Sequence, residues 1–127
     1  MADLGLDFAK SGGIIPVVIQ DYFSKDVLML GYMNSEAFYL TLETGFVHYF
    51  SRSKNRIWKK GETSSHVQEV KEIRLDCDND TLLIKVIQRG DAACHEGYRS
   101  CFFRKLEKDD WVVDSERIFN PEDVYKE

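Results

Sequence analysis

Three cysteines carry the clearest chemical signal in this sequence of 127 residues: Cys77, Cys94 and Cys101. An odd number of cysteines in a chain without a secretory signal favours reduced thiols or a metal site over a disulfide framework. Structural zinc usually has four protein ligands, whereas catalytic zinc keeps three and leaves one position open. If these thiolates bind zinc, their number therefore favours a catalytic site. The simpler alternative for the segment ACHEGYRSC (93–101) is two small buried thiols and a surface histidine.

The segment LDCDND (75–80) interleaves three aspartates with one of these cysteines. Asp-Asn-Asp is typical of a hairpin turn, which is the simplest interpretation. If the segment is extended instead, Asp76, Asp78 and Asp80 converge on one face while Cys77 points the other way. Three crowded carboxylates repel one another unless a cation such as Mg²⁺ lies among them. The extended interpretation therefore predicts one strand that serves a magnesium site and, on its other face, a zinc site.

A histidine directly after the second cysteine is the candidate for proton transfer. Zinc held by three thiolates has a net charge of about −1 and acidifies water less than zinc held by three histidines. A nearby base would compensate, and the imidazole of His95, adjacent in sequence to a proposed ligand, can accept and return a proton. His48 and His66 are rivals for a metal or base role. For each of those two, a histidine on a strand face with an ordinary hydrogen-bond partner is the simpler explanation.

The segment SRSKNRIWKKGETSSH (51–66) contains five of the positive charges of a protein whose formal net charge is −5. It is either a solvated hairpin or a phosphate-binding tract. Arginine binds phosphate through two parallel hydrogen bonds, a glycine allows close backbone approach, and hydroxyl groups add donors. Trp58 either stacks on a base or anchors the core. The predicted substrate-binding residues are Arg52, Trp58, Lys60, Gly61, Thr63 and Ser64.

The composition limits the class of protein. With 43% hydrophobic and 31% charged residues, the chain has the composition of an ordinary soluble globular protein. Its length predicts one domain, residues 1–127. The absence of an apolar run of 18 residues argues against a membrane span, and the acidic N-terminus lacks a signal core, so we expect a cytoplasmic protein. The net charge of −5 argues against a non-specific nucleic-acid binder.

Short apolar runs rich in β-branched residues predict the strands that position these groups. The predicted strands are residues 14–20, 26–33, 46–51, 66–75, 81–88, 99–106 and 111–114. We expect the first two to form a hairpin, and residues 66–75 and 81–88 to pair around the LDCDND segment. Between the second and third strands, Asn34 or Ser35 can begin a helix that Gly45 ends.

Many short strands with one main helix indicate the α+β class, as a single domain with a mostly antiparallel β-sheet. The order of the strands in the sheet cannot be deduced from these patterns. Residues 1–13, which end in a Gly-Gly pair, are expected to be a flexible N-terminus. Residues 120–127 are expected to add a terminal helical turn.

Three motifs in this order, SRSKNRIWKKGETSSH, DCDND and ACHEGYRSCFF, resemble the phosphoribosyl-AMP cyclohydrolase family of histidine biosynthesis. GYMN at 31–34 is also similar to that family, and the resemblance covers about residues 14–106. It implies a hydrolase that opens the adenine ring of phosphoribosyl-AMP between N1 and C6. The implied zinc ligands are Cys77, Cys94 and Cys101, and the implied magnesium ligands are Asp76, Asp78 and Asp80. The resemblance further implies a homodimer with shared zinc sites.

The sequence departs from the family pattern at several positions. Glycine is expected where Ser65 stands, threonine is expected where Glu96 stands, and a proline is common in the residues at 91–93. The pyrophosphohydrolase domain that is fused to this enzyme in some relatives is not expected in a chain of this length.

Two alternative functions stay open. One is a zinc hydrolase or deaminase acting on another purine nucleotide, although the H-x-E and P-C-x-x-C motifs of zinc deaminases are missing. The other is a small zinc-stabilised RNA-binding module, against which the net acidity argues.

Overall fold

The computed structural model describes residues 4–124 of the chain. That range forms a small single domain of strands with one main helix, which confirms the predicted α+β class. The strands are β1 (Ile15–Asp21), β2 (Val27–Met33), β3 (His48–Ser51), β4 (Arg56–Lys59), β5 (Gln68–Leu75), β6 (Leu82–Gln88), β7 (Arg104–Glu107) and β8 (Asp110–Val113). The helices are α1 (Ser35–Thr44), α2 (Pro121–Val124) and two short 3-10 turns, Ala9–Ser11 and Arg89–Asp91. No helix within residues 4–124 has the length and apolar character needed to cross a membrane.

A four-stranded sheet in the order β2-β1-β6-β5 forms the centre of the domain. Strands β1 and β6 alternate buried and half-buried residues along their whole length, because successive side chains of a strand point to opposite faces. Both predicted hairpins, β1–β2 and β5–β6, are antiparallel as expected. The two hairpins join through a parallel pairing of β1 with β6, which no local pattern indicated. The remaining strands form two separate antiparallel hairpins, β3–β4 and β7–β8.

Helix α1 begins and ends at the residues that the sequence predicted. The side chain of Asn34 accepts a hydrogen bond from the backbone of Ala37 at 2.8 Å, which caps the first turn. Gly45 ends the helix in a left-handed conformation with φ of +79°. Thr41 is buried, and its hydroxyl oxygen accepts from the backbone N–H of His48 at 2.9 Å. The helix therefore fixes the start of β3, which leads into the 51–66 tract.

The predicted strand at 99–106 is wrong in its first half. Only residues from Arg104 onward are in β7. Residues 100 and 101 cross the edge of the central sheet instead, since the backbone N–H of Cys101 donates to Leu28 O at 2.7 Å. The hydroxyl of Ser100 donates to Val27 O, also at 2.7 Å. These side-on contacts to β2 replace the ladder that a strand would make, and they place Cys101 beside that strand.

The N-terminal segment has defined contacts. Leu6 and Phe8 pack against the buried core, and the backbone N–H of Asp7 donates to Asn79 O at 2.7 Å. Residues 1–3 lie outside the described residues, and the flexibility predicted for residues 1–13 stays a prediction. At the other end, α2 confirms the expected helical turn over residues 121–124. Residues 125–127 of that expected turn also lie outside the described residues.

Candidate active site

The β3–β4 hairpin presents the basic tract that the sequence singled out. Its register pairs Tyr49 with Trp58, and the two rings lie 5.0 Å apart between centroids. After β4 the backbone N–H of Lys60 donates to Val47 O at 3.0 Å, and the chain then turns sharply at Gly61, where φ is +87°. A Cβ at Gly61 would lie 2.6 Å from the backbone nitrogen of Val67. Glycine is therefore required there, both for the turn and for the close approach of the two segments.

The departure at Ser65 has a structural consequence. Ser65 has φ of +67°, and its backbone N–H donates to Gly61 O at 2.8 Å to close the loop. A left-handed conformation is favourable for glycine and strained for a residue with a Cβ. This conformation explains why glycine suits the position and shows that this chain holds a serine there at a cost in strain.

A pocket of about 180 Å³ lies where this tract meets the loop that contains the second cysteine. Six residues predicted to bind substrate or to transfer a proton line this pocket: Trp58, Lys60, Gly61, Thr63, Ser64 and His95. Lys59 and Glu62 complete the lining. The structure thus brings five of the six predicted substrate-binding residues together with the predicted base, from segments more than 30 residues apart in sequence.

The sixth predicted residue, Arg52, lies on the other side of Trp58. Its guanidinium stacks over the ring of Tyr32 at 4.1 Å from the ring centroid. Both residues line a larger cavity of about 620 Å³, which is also lined by Trp58, Ser51 and Ser53. Trp58 therefore lines both cavities, the larger one with Arg52 and the smaller one with His95. Tyr32 belongs to the GYMN segment, but sequence reasoning gave it no role because its approach to β3 depends on tertiary packing.

Of the three histidines, His95 lines the smaller pocket. The Nδ1 of His48 lies 2.9 Å from Phe46 O, in an ordinary local hydrogen bond. The ring of His66 packs edge-on against Phe119, 5.0 Å between ring centroids, and its Nδ1 is buried with no hydrogen-bond partner among the described residues. The geometry therefore favours His95 over its two rivals as the group that acts in the pocket.

A short backbone network shapes the loop that contains Cys94 and Cys101. The N–H of Ala93 donates to Arg99 O at 2.9 Å, and that of Cys94 donates to Tyr98 O at 3.1 Å. The loop therefore folds back on itself and brings the thiol of Cys101 close enough to that of Cys94 for the two to interact electrostatically. Cys94 is buried and Cys101 is exposed at the surface.

The β1–β2 hairpin anchors this cysteine loop through an ion pair. The guanidinium of Arg99 lies 3.3 Å from a carboxylate oxygen of Asp21, and the same carboxylate accepts hydrogen bonds from the backbone of Phe23 and Ser24. Burial alone would raise the pKa of the Asp21 carboxyl, but these hydrogen bonds and the charge of Arg99 lower that pKa below its ordinary value. Asp21 therefore stays ionised and holds both the turn and the cysteine loop.

The electrostatics of the thiol pair favour a bound cation. Partial burial and the neighbouring thiol of Cys94 raise the pKa of Cys101 to about 12, and the charge of Glu96 acts in the same direction. The nearest positive group is Lys60, which is only 8% exposed and donates from Nζ to Ala93 O at 2.6 Å. Burial lowers the pKa of this lysine, although the two thiols oppose that shift. A thiol with a raised pKa next to a second sulfur suits a soft metal ion such as zinc, which binds the thiolate form.

The extended conformation considered for residues 76–80 is wrong, and the segment is a turn. The carboxylate of Asp76 accepts from the backbone N–H groups of Asp80 and Thr81, and Asn79 adopts φ of +66°. Asparagine tolerates this left-handed conformation, and an aspartate at the start of a turn caps the following N–H groups, which explains the outcome. The carboxylates converge all the same: the ligand atoms of Asp76, Asp78 and Asp80 lie within 4.8 Å of one another.

The acidic turn already has a cationic partner, which sequence reasoning missed. The ammonium of Lys10 lies 3.4 Å from Asp78 and 3.5 Å from Asp80, and it also donates to Asp78 O at 2.9 Å. Three convergent oxygen donors fit a hard cation such as Mg²⁺. The sequence places Lys10 in the N-terminal segment but does not predict this contact, because no spacing pattern relates a residue to a turn almost 70 positions away.

Cys77 does not join the other two cysteines within one chain. It lies exposed in the turn that follows β5, at one edge of the central sheet, whereas the backbone of Cys101 bonds to β2 at the opposite edge. Three inter-strand spacings, about 14 Å, separate β5 from β2. Thiolates that share one zinc ion lie no more than about 4.6 Å apart, twice the Zn–S bond length. Among residues 4–124, the only group of three converging metal-ligand side chains is the aspartate cluster.

Comparison with known proteins agrees with this arrangement of motifs. The family model for phosphoribosyl-AMP cyclohydrolase matches residues 29–103. A phosphoribosyl-AMP cyclohydrolase of Desulforapulum autotrophicum is 61% identical over 122 residues, which cover 95% of this chain and 98% of that protein. The Methanocella arvoryzae enzyme is 57% identical, covering 90% and 92%, and a Nitratidesulfovibrio vulgaris enzyme is 53% identical, covering 94% and 95%. With a match that spans most of the chain and all three motifs, this chain belongs to the phosphoribosyl-AMP cyclohydrolase family.

Proposed function

We propose that this chain is a zinc-dependent hydrolase that opens the adenine ring of phosphoribosyl-AMP between N1 and C6, in histidine biosynthesis. The observation that carries the proposal is the pocket that His95 lines together with Trp58, Thr63 and Ser64, next to a loop with one buried and one exposed thiol. Family membership supports the same activity. The pocket supplies a base, an aromatic surface, phosphate donors and a soft metal-ligand pair in one place.

The reaction requires water to add at C6, the C6–N1 bond to break, and one proton of that water to reach N1. An imidazole side chain can accept and return this proton, which is the role we assign to His95. Trp58 offers its ring to the purine, and the hydroxyl groups of Thr63 and Ser64 offer hydrogen bonds to a phosphate. Arg52, in the adjoining cavity, binds the second phosphate of the substrate. Zinc, when bound, supplies Lewis-acid chemistry beside this base.

The proposed zinc ligands are Cys94 and Cys101 of one chain and Cys77 of the partner subunit. Support comes from the separation of Cys77 from the other two thiols within a chain, together with the exposure of Cys77 and Cys101. A depression of about 230 Å³ beside Cys101 is lined by Phe102, Arg104 and Trp111. Phe102 is 61% exposed and Trp111 is 63% exposed, as expected of residues that a second chain covers.

The proposed dimer also explains the magnesium assignment. Cys77 lies within the turn formed by Asp76, Asp78 and Asp80, so a dimer that brings Cys77 to the partner's thiols carries the carboxylate cluster to the same place. A hard cation bound there would lie near the phosphates of a substrate in the partner's pocket. Magnesium is therefore proposed to assist substrate binding rather than to replace zinc.

A ring-opening assay tests the proposal. Purified protein is incubated with phosphoribosyl-AMP, and the absorbance change of the base is followed with and without a zinc chelator. We expect turnover that the chelator abolishes and that added zinc restores. His95→Asn should keep its zinc and lose on the order of 10²- to 10⁴-fold in turnover. His48→Asn, at a histidine bonded to Phe46 O, is the matched control and should stay active.

Three results would each contradict a part of the proposal. Chelator-resistant turnover in a zinc-free preparation would remove the metal assignment. Release of ammonia from AMP, with no opening of phosphoribosyl-AMP, would favour a purine deaminase instead. Loss of zinc in His95→Asn would make this histidine a ligand rather than the base.

A further inference from the structure

A segment beyond the family match returns to the active-site loop. After β8 the chain runs back, and the backbone N–H groups of Ile118 and Phe119 both point at Gly97 O, at 2.6 and 3.4 Å. Gly97 lies two residues after His95 and between the two cysteines of the loop. The C-terminal segment therefore holds the active-site loop by its backbone, at the middle of the turn that presents the proposed base.

The same segment also contacts the 59–66 tract, whose residues form the side of the pocket opposite His95. The ring of Phe119 packs edge-on against the ring of His66, 5.0 Å between centroids. His66 follows Ser64 by two residues, and Ser64 lines the pocket that His95 faces. Two consecutive residues, Ile118 and Phe119, thus contact both walls, each contact two residues away from a residue that lines the pocket.

An aromatic stack extends this hold along the loop. The guanidinium of Arg117 lies over the ring of Tyr98 at 5.5 Å, and Tyr98 stacks on Phe103 at 3.9 Å with 7° between the ring planes. Phe103 is buried, so the stack ties the C-terminal segment to the interior through the loop. Backbone hydrogen bonds and ring stacking therefore act at the same place.

We propose that Ile118 and Phe119 are positioning residues that clamp the loop of His95 against the 59–66 tract. The clamp sets the distance between the proton-transfer group and the residues that bind substrate. It rests on the proposed function only in that turnover is one of its readouts. A displacement of about 1 Å between such groups is enough to lower turnover by an order of magnitude or more.

The clamp is tight at Gly97. This residue has φ of +95°, and a Cβ added there would collide with the carbonyl oxygen of Phe119. Gly13 is a matched position, because it has φ of +97° and open space where a Cβ would be. An alanine at Gly13 therefore introduces the same backbone strain without the collision.

The first test compares Ile118→Pro with Ile118→Ala in the full-length chain. Proline removes the N–H group that donates to Gly97 O, whereas alanine keeps it and removes only a half-exposed side chain. We expect Ile118→Pro to lose about tenfold or more in kcat, with KM changed less than about twofold. Hydrogen–deuterium exchange should rise in residues 59–66 and 94–101 and stay unchanged in β1 and β6. Ile118→Ala should match the wild type in both measurements.

The second test compares Gly97→Ala with Gly13→Ala and serves if the proline variant fails to fold. Gly97→Ala should reproduce the faster exchange on both walls of the pocket and the loss of kcat, whereas Gly13→Ala should lower only the melting temperature. Equal behaviour of the two alanine variants, or a proline variant indistinguishable from Ile118→Ala, would overturn the clamp. If wild-type protein does not open phosphoribosyl-AMP, the proposed function fails, and the exchange measurements still decide whether the clamp exists.

Discussion

The acidic turn at 76–80 and the cysteine loop at 93–101 are both candidate metal sites, and they differ in what one chain supplies. The turn brings three carboxylates within 4.8 Å of one another, with two of them exposed. The loop brings together only two thiols, one of them buried, and a lysine that is 8% exposed. One chain thus brings together all three of the proposed magnesium ligands, but only two of the three proposed zinc ligands.

The two ligand sets also differ in their exposure to water, which determines how much each gains from a bound cation. Carboxylates at the surface remain ionised in water, and one exposed lysine, Lys10, is enough to offset their mutual repulsion. In the cysteine loop one of the two thiols is buried, and the cation beside the pair, Lys60, is itself only 8% exposed, so water hydrates this group of side chains poorly. A bound metal ion therefore stabilises the cysteine loop more than the acidic turn, because its charge compensates for hydration that the loop lacks and the turn keeps.

The position of Cys77 connects the two regions. This soft ligand lies in the middle of the hard-ligand turn, where it cannot reach its own chain's thiols. In the proposed dimer, one turn supplies the third thiolate and the magnesium site to the same partner pocket. The alternation of aspartate and cysteine in DCDND then reflects two sites that are assembled by a single turn.

The largest expected effect is at the cysteine loop. Cys94→Ser should lose zinc and on the order of 10²-fold or more in turnover, because a hydroxyl replaces a thiolate ligand. Ala93→Ser is the control: it places the same side chain at the adjacent buried position and keeps all three thiols. Metal analysis and the ring-opening assay give both readouts. Full turnover in Cys94→Ser would mean that the loop is not a metal site.

The second prediction concerns the origin of the third ligand. Cys77→Ala and Cys94→Ala should each be inactive alone. When equal amounts are unfolded and refolded together, about half of the dimers should be mixed. One site of a mixed dimer then contains both lesions, and the other combines an intact Cys77 with an intact Cys94 and Cys101. About a quarter of wild-type activity should return, which is a rise of at least about 25-fold over either variant.

The alternative has a distinct outcome. If all ligands of a site come from one chain, every site in a mixed dimer keeps one lesion and the mixture stays inactive. Differently labelled subunits, separated by size and detected together, confirm that mixed dimers have formed. An inactive mixture with confirmed mixed dimers would contradict the shared site and return Cys77 to the role of a surface thiol.

The third prediction separates the hard site from the soft one. Asp78→Asn should weaken magnesium binding by about tenfold and leave the zinc content unchanged, because carboxylates and thiolates select different metals. Asp78 is the best choice, since Asp76 also caps the turn and its replacement would disturb the backbone. Asp109→Asn, in the β7–β8 turn, is the control for net charge. Wild-type activity that is independent of magnesium would remove the basis of this assignment.

Local patterns predicted much of the fold and the site because local physics decides those features. Asn34 and Gly45 marked the helix ends, since capping depends on side chains within one turn. Short apolar runs rich in β-branched residues predicted the strands of the β1–β2 and β5–β6 hairpins. The DCDND segment shows the limit: its carboxylates converge as predicted, but through a turn closed by Asp76 rather than through strand alternation.

Features set by distant contacts were not visible in the sequence. Lys60 resembled the other cations of the basic tract, yet the turn at Gly61 directs it toward the thiols of Cys94 and Cys101. The parallel pairing of β1 with β6 joins two hairpins that each look complete on their own. The hold of Ile118 and Phe119 on Gly97 involves backbone atoms, for which the sequence carries no side-chain signature.

The smallest expected effect is that of Lys10→Gln on magnesium binding, which tests whether the three aspartates bind the ion without help from the rest of the chain. Lys10 occupies the position from which a divalent ion would neutralise Asp78 and Asp80, so the two cations compete for the same oxygens. Lys10→Gln should therefore strengthen magnesium binding about two- to fivefold at low salt, and the gain should shrink as salt screens the exposed lysine. Lys108→Gln, in the β7–β8 turn, changes the net charge equally and is the control. Titration calorimetry with magnesium alone measures both variants, and zinc analysis should find no change in either. If Lys10→Gln weakens magnesium binding instead, the lysine shapes the turn that gathers the carboxylates, and the proposed magnesium site depends on the N-terminal segment as the proposed zinc site depends on a second chain.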